Sequence, residues 1–490
     1  MGSREKMTGY MEKRASLDVV HAAADVCRRR IGQLLDPQSF VELDSLVEAR
    51  GLTFGFNRPK VAGDGVVTGY GTLNGRMVYL AAQDPSVYGG SIGQMHAEKI
   101  AKAVQLACEA QVPFIGLYDT GGARIEEGVL GLEGLGCLLS ALDDASGQIP
   151  LIAAVFGPCA GGAAFAAAAS DFVLMSEKGS GLFMNGPMVV SAAENKTLDA
   201  AAVGGARIHA EKTGLAALTA PDEDSLIALV RQLMPFLPDS GEGFLGCESP
   251  DDDPNRTETR LDELAANLDQ GYDMREVINL VVDSSGFLEL FPSFAVGMVT
   301  GLAKLDGITV GVLAQAEPRI TADMAGKAAK LVGLCDRLNL PLITFTDAEG
   351  YAIGLAQEQG GLIQAGADLM KAMLRLETAH VGVIIGKAIG TAYLTFNSKN
   401  CGADLVYAWP TAEIAVVGPD TAAHIIYRKE IAASADPITA RTEFASRYAD
   451  EVASPYVAAS LGHVDEVIQP SATRPRLISA LEMLTTAYTM

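Results

Sequence analysis

The sequence has one tryptophan, six histidines and seven cysteines in 490 residues. The histidines form no HxxxH or HExxH spacing, so the pattern that places two metal ligands on one helix face is missing, and no metal is expected. Cys27, Cys108, Cys137, Cys159, Cys247, Cys335 and Cys401 are odd in number and include no CxxC pair. That excludes a zinc ribbon and a disulfide framework, and points to reduced thiols in a cytoplasmic setting. Positive charge is also scarce: 37 Lys and Arg stand against 60 Asp and Glu, a net charge of −23. Such a surface repels nucleic acid and anionic membranes. Met1 to Arg14 has no apolar core and does not read as a signal peptide. Ile149 to Ser170 is uncharged over a length that could span a bilayer, but Gly and Pro interrupt it. A buried strand followed by a helix is expected there instead.

Hydrophobic content of 49 % with 20 % charged residues describes a compact globular chain, long enough for two or three domains. Its most informative stretch is Gly157-Pro158-Cys159-Ala160-Gly161-Gly162-Ala163, between an apolar run and an Ala-rich run. A strand-turn-helix with adjacent glycines lets a ligand approach the backbone, and leaves N–H groups free at the helix start. That is the makings of an oxyanion hole, or simply a tight turn. Cys159 beside it reads as small-residue packing.

Around this stretch, a helix is expected over 15–35 and a short strand at 40–43. Residues 63–73 and 77–82 form a hairpin on Asn74-Gly75. A helix over 96–110 and a strand at 112–117 follow. The strand runs into a second Gly-Gly turn, Asp119-Thr120-Gly121-Gly122-Ala123-Arg124, which opens a helix. Strands alternating with helices imply a mostly parallel sheet.

The pattern then repeats. Val299 to Gly307 echoes Val67 to Gly75, and Lys327 to Lys330 echoes Lys99 to Lys102. Leu340-Pro341-Leu342-Ile343 and Asp347 echo Val112-Pro113-Phe114-Ile115 and Asp119. Gly386 to Ala392 echoes Gly157 to Ala163, and Gly418-Pro419 echoes Gly186-Pro187. A unit of roughly 230 residues is used twice, far longer than a solenoid repeat. The expected organisation is 1–240, a Gly/Asp/Pro/Ser-rich linker over 241–258, and 259–490. Lys327 and Lys330 read as a solvated helix face.

Six motifs carry a resemblance over residues 30–490: Gly63 to Gly69, Gly89 to Gly93, Gly121 to Gly128, Gly157 to Ala163, Tyr272 to Glu276, and Ala408 to Val416. The chain resembles the carboxyltransferase β subunit of biotin-dependent acyl-CoA carboxylases of the propionyl-CoA carboxylase type. It is similar too to transcarboxylase and to the α subunits of methylmalonyl-CoA and related decarboxylases. The resemblance implies an α/β chain of two tandem crotonase-like domains, acyl-CoA on the first and biotin on the second. Gly161 and Gly162 would hold a thioester oxygen as the enolate forms, with Gly121, Gly122, Ala123, Arg124, Ala160, Ala163 and Leu394 around the substrate. Thr391 and Ala392 would hold the ureido oxygen of biotin, with Gly350, Tyr351, Gly390 and Tyr393 beside it. Carboxybiotin would release its carboxyl group, its freed nitrogen would take the α-proton, and the enolate would capture the carboxyl. The resemblance further implies a hexamer.

The chain shows no Met-Lys-Met biotinylation site, ATP-grasp region or P-loop. Biotin carboxylase and a biotin carrier are therefore expected as separate chains. Departures from the family pattern gather in the second half. Thr391 replaces a glycine, and Asp347-Ala348-Glu349-Gly350-Tyr351 replaces Asp-Val-Pro-Gly-Phe. Decarboxylation or transcarboxylation of a carboxyacyl-CoA, and a non-catalytic paralogue, stand as alternatives. Arg124 reads equally as a CoA-positioning residue or a first-turn ion pair, Glu349 as a solvated turn carboxylate, and Tyr393 as a packed core aromatic.

Overall fold

The structure is a computed structural model and describes residues 3–23, 25–50, 61–239, 252–284 and 286–488. The chain divides into two compact units, Met1–Gly243 and Phe244–Met490. In the first, the strands are β1 (Val41–Leu43), β2 (Val66–Leu73), β3 (Arg76–Gln83), β4 (Phe114–Thr120), β5 (Leu151–Ala160), β6 (Phe172–Ser176), β7 (Gly181–Phe183) and β8 (Leu218–Ala220). They form one sheet in the order β1-β2-β3-β4-β5-β6-β8, with β7 beside the end of β5. The first three strands are antiparallel and the rest parallel. Asn74 and Gly75 both take positive φ, 53° and 79°, which matches the hairpin to the strand twist.

The second unit contains β9 (Phe287–Leu290), β10 (Met298–Leu305), β11 (Ile308–Gln315), β12 (Arg319–Ile320), β13 (Leu342–Ala348), β14 (Gly350–Tyr351), β15 (His380–Ile389), β16 (Leu405–Ala408), β17 (Glu413–Ala415) and β18 (Glu466–Val467). Its sheet runs β9-β10-β11-β13-β15-β16-β18 with β17 beside β15, the order of the first sheet strand for strand. β12 and β14 pair separately. In the first unit, helices Gln94–Ala110 and Val129–Ala145 bury Ile100, Val104, Leu138 and Leu142 in the core with Val155. The lone Trp409 is fully buried in the second core, its indole N–H on Thr473 Oγ1 at 3.0 Å.

The helix read over 15–35 is present, described as Ser3–Ala23 and Asp25–Leu34, with residue 24 outside the described residues. Several expectations need correction. The Gly121-Gly122 turn leads first to a short 3₁₀ turn, Ile125–Glu127, because Arg124 is tied inward. Of the linker, 241–251 lies outside the described residues. Residues 252–258 are anchored, with Arg256 donating to the carbonyls of Leu280 and Val282. Lys327 is not solvated: it is fully buried and donates to Phe294 O at 2.8 Å. Its counterpart Lys99 donates to the carbonyls of Gly63 and Val66. Burial pulls both ammonium groups down to about 8.

What positions the first unit's loops is a buried polar chain. Arg124, 1 % exposed, pairs with Asp64 Oδ1 at 2.7 Å and Glu127 Oε1 at 2.8 Å. Asp64 accepts from the His96 backbone N–H through Oδ2, and its carbonyl lies 3.0 Å from His96 Nδ1. Burial holds His96 down to about 3, so it is neutral. Gln83 Oε1 accepts from Asp119 N, which leaves the Gln83 amide to donate to His96 Nε2 and fixes the Nδ1–H tautomer. Asp119 then pairs with Arg30 Nη1 at 2.8 Å, and Arg30 with Glu223 at 2.6 Å.

Arg124→Met leaves two buried carboxylates without their cation and should cost about 3–5 kcal/mol in chemical denaturation. Arg124→Lys should recover only part of this, having no planar fork for both partners. A loss below about 1 kcal/mol for the Met variant would show that the carboxylates do not depend on Arg124.

Candidate active site

Each unit ends its central strand in the same turn. After β5, Gly161 has φ 63° and ψ −133° and starts helix Gly162–Ala168. After β15, Gly390 has φ 61° and ψ −131° and starts helix Thr391–Asn397. Only glycine enters this region without strain. The glycine N–H is engaged in both: Gly161 N donates to Phe183 O at 2.9 Å, and Gly390 N to Ala415 O at 2.8 Å. Gly161 is therefore not an oxyanion donor, as the sequence led one to expect; it sets the backbone direction. The groups that remain are the N–H of Gly162 and Ala163 in one turn, and of Thr391 and Ala392 in the other, at helix starts with no intrahelical acceptor.

Thr391 occupies the place of Gly162 without altering the turn, and it is exposed. Thr395 Oγ1 donates to Thr391 O at 2.9 Å. With that proton committed, the Tyr351 hydroxyl is the donor in its 3.3 Å contact with Thr395 Oγ1. Tyr351, another departure from the family pattern, thus braces this turn.

A second loop lies against each turn. Ile92 N donates to Gly122 O, and Arg124 N to Ile92 O, both at 2.8 Å. Gly122 has φ 95°, and a Cβ there would stand 2.8 Å from Ala160 O. The Ala123 N–H, between these bonds, has no hydrogen-bond partner among the described residues. In the second unit Ala352 N donates to Ile320 O at 2.9 Å, Gly350 has φ 115°, and its Cβ would lie 3.7 Å from Ile389 O. Gly121 to Ala123, Ala160 and Ala163 are thus brought together with Gly161-Gly162, as are Gly350 and Tyr351 with Gly390-Thr391-Ala392. Arg124 belongs to the loop but points inward, all of it committed to Asp64, Glu127 and Ser91.

A carboxylate lies against each strand just before its turn, a feature the sequence reading missed although the echo of Asp119 in Asp347 was visible. A Cβ on Gly157 would meet Asp119 Oδ1 at 2.0 Å, and one on Gly386 would meet Asp347 Oδ1 at 2.5 Å. Asp347 accepts from Lys387 N at 2.7 Å and from the Tyr272 hydroxyl at 2.9 Å. Burial and then the Asp347 charge push the Tyr272 hydroxyl upward, keeping it a donor. Pro158 lacks the equivalent N–H, and Asp119 takes Arg30 instead. Cys159 is fully buried and its thiol is pushed up by burial and then by Asp119, which leaves it neutral packing.

The second unit has a cavity of about 1020 Å³ lined by Gly350, Tyr351, Gly390, Thr391, Tyr393 and Leu394. Tyr393 is half-buried in its wall and packs on the core behind it. Glu349 also lines it and is not a free carboxylate: Lys387 Nζ sits 2.7 Å from Oε1 and Arg319 Nη2 3.2 Å from Oε2. Among the described residues no group of His, Cys, Asp and Glu is arranged to hold a metal ion.

With this geometry in place, comparison with known proteins is direct. The family model described as "Carboxyl transferase domain" matches residues 20–489. A propionyl-CoA carboxylase beta chain of Cereibacter sphaeroides is 42 % identical, covering 93 % of this chain and 90 % of the relative. A methylmalonyl-CoA decarboxylase subunit alpha of Veillonella parvula is 41 % identical, covering 93 % and 89 %. The transcarboxylase 12S crystal structure, described as a hexamer with methylmalonyl-coenzyme A bound, superposes with a TM-score of 0.92 at 36 % identity, over 99 % of this chain and 96 % of that one. The two duplicated units are thus crotonase-like domains, and the chain belongs to the carboxyl transferase domain family.

Proposed function

We propose that this protein is the carboxyltransferase subunit that moves a carboxyl group between biotin on a separate carrier chain and the α-carbon of a short acyl-CoA of the propionyl or methylmalonyl type. The observation that carries this reading is the same turn occurring twice, with dihedrals that agree within a few degrees and, in each, two N–H groups that have no partner among the described residues. Two carbonyl-type oxygens gain negative charge in such a transfer, and each turn offers donors to one of them. Gly162 and Ala163 hold the thioester oxygen, with the loop of Gly122 and Ala123 packed against the same strand end at Ala160. Biotin is assigned to the second unit, where Thr391 and Ala392 can donate to a ureido oxygen and Tyr351 and Tyr393 line the same cavity; Leu394, expected beside the acyl-CoA, lines this cavity too. When bound, biotin supplies the carboxyl group on its ureido nitrogen. The chain's own part is to orient groups and to present fixed dipoles, which needs no acid–base side chain at the turns.

Decarboxylation or transcarboxylation is the second reading, favoured by the nearly equal identity to carboxylase and decarboxylase subunits. Biotin carboxylase and a biotin carrier are the proposed partner chains, a hexamer the proposed assembly, and the cytoplasm the proposed location. The last is supported by free thiols at Cys27, Cys108, Cys137, Cys159, Cys335 and Cys401.

The purified chain, given a carboxylated biotin carrier and propionyl-CoA, should form methylmalonyl-CoA, detected by chromatography. Absence of transfer to or from every short acyl-CoA tried would overturn the reading. Gly162→Val, whose Cβ would press Leu135 Cδ1 at 2.9 Å, should lower kcat about 10²- to 10³-fold with the fold retained by circular dichroism. Unchanged kcat would remove this turn from the chemistry.

A further inference from the structure

The cavity of the second unit carries charges that the transfer reading has not used. Lys387 lies on β15, three residues before Gly390, and Arg319 on β12. Both are half-exposed and both line the cavity with Thr391. Glu349 stands between them, one oxygen to each. It has the position in the second unit that Gly121 has in the first, where there is no side chain. Its placement is fixed by backbone: Glu349 N donates to Pro318 O at 2.7 Å, and β14 pairs with β12 in parallel. Glu413, level with Lys387 across β15 and β17, also lines the cavity.

We propose that Lys387 and Arg319 form a carboxylate-binding subsite in this cavity, and that Glu349 is its resident competitor, displaced when a substrate carboxylate enters. This rests on the reading that a carboxylated group uses the cavity. A carboxylate donates nothing to Glu349 and repels it, so the two compete for Lys387 and Arg319. An entering carboxylate therefore gains the full charge of Lys387 and Arg319 as Glu349 moves away from them. The resident ion pairs weaken binding and make the cavity selective against stray small anions. The carboxylate has two possible sources, the carboxylated biotin carrier and the carboxyacyl-CoA.

Glu349→Gln keeps size and removes the competing charge. Its apparent KM for the true source should fall about two- to fivefold, the scale of partly exposed ion pairs, while KM for the other substrate stays constant. Lys387→Met should raise that KM, and adding Glu349→Gln to Lys387→Met should bring no further gain. Binding is measured separately by calorimetry with malonate as a free probe. Glu349→Gln should take up malonate more tightly than the parent chain, and the double variant should not. Malonate binding of this pattern without any carboxyl transfer would uphold the subsite and reject the transferase reading. Transfer with no fall in either KM and no gain in malonate affinity would overturn the subsite alone. Loss of both signals would reject both.

Discussion

A single guanidinium sets the geometry of the first unit. Arg124 lies between the buried carboxylates of Asp64 and Glu127 and also donates to the Ser91 carbonyl. Each partner stands on a different loop, so one cation fixes three backbone segments around the turn that follows β5. Such burial is tolerable only when every polar atom has a partner. Glu127 Oε2 meets this condition by accepting from Gln94 N at the start of helix Gln94–Ala110. Neutral His96 adds no charge of its own and links the network through Gln83 to Asp119, whose buried charge Arg30 pairs.

The second unit reaches the same backbone by other means. Met324 lies at the place of His96, and the buried Gln315 Nε2 has no hydrogen-bond partner among the described residues. Ala352 takes the place of Arg124, and a tyrosine rather than an arginine holds the pinning aspartate. Two sequences with different polar interiors arrive at one strand order and one pair of turn dihedrals. The requirement they share is in the backbone: glycine at the turn, glycine beneath the aspartate, and glycine at 122 and 350.

That explains what could be read in advance. The duplication, the hairpin at Asn74-Gly75 and the strand-turn-helix at Gly161 were legible because they rest on glycines and on local apolar pattern. Long-range partners were not. Nothing near Arg124 in sequence says that it turns inward toward Asp64, 60 residues earlier. Nor does the pattern around Gly161 show that Phe183 takes its N–H. Lys327 looked solvated because its acceptor, Phe294 O, lies on a loop with no helical register to it. Glu349 was noticed as a departure, but Lys387 and Arg319 reach it from separate strands.

The partners of Asp119 and Asp347 have one more implication. Arg30 comes from helix Asp25–Leu34, ahead of β1, and Tyr272 from the residues leading into helix Met274–Val281, ahead of β9. The repeating module is thus longer than its sheet, because each copy borrows from its own leader the group that holds its turn. A half excised at its first strand would keep all the strands drawn in a topology diagram and lose the contact that aligns them. The natural cut sites for separating the halves lie upstream of Arg30 and of Tyr272.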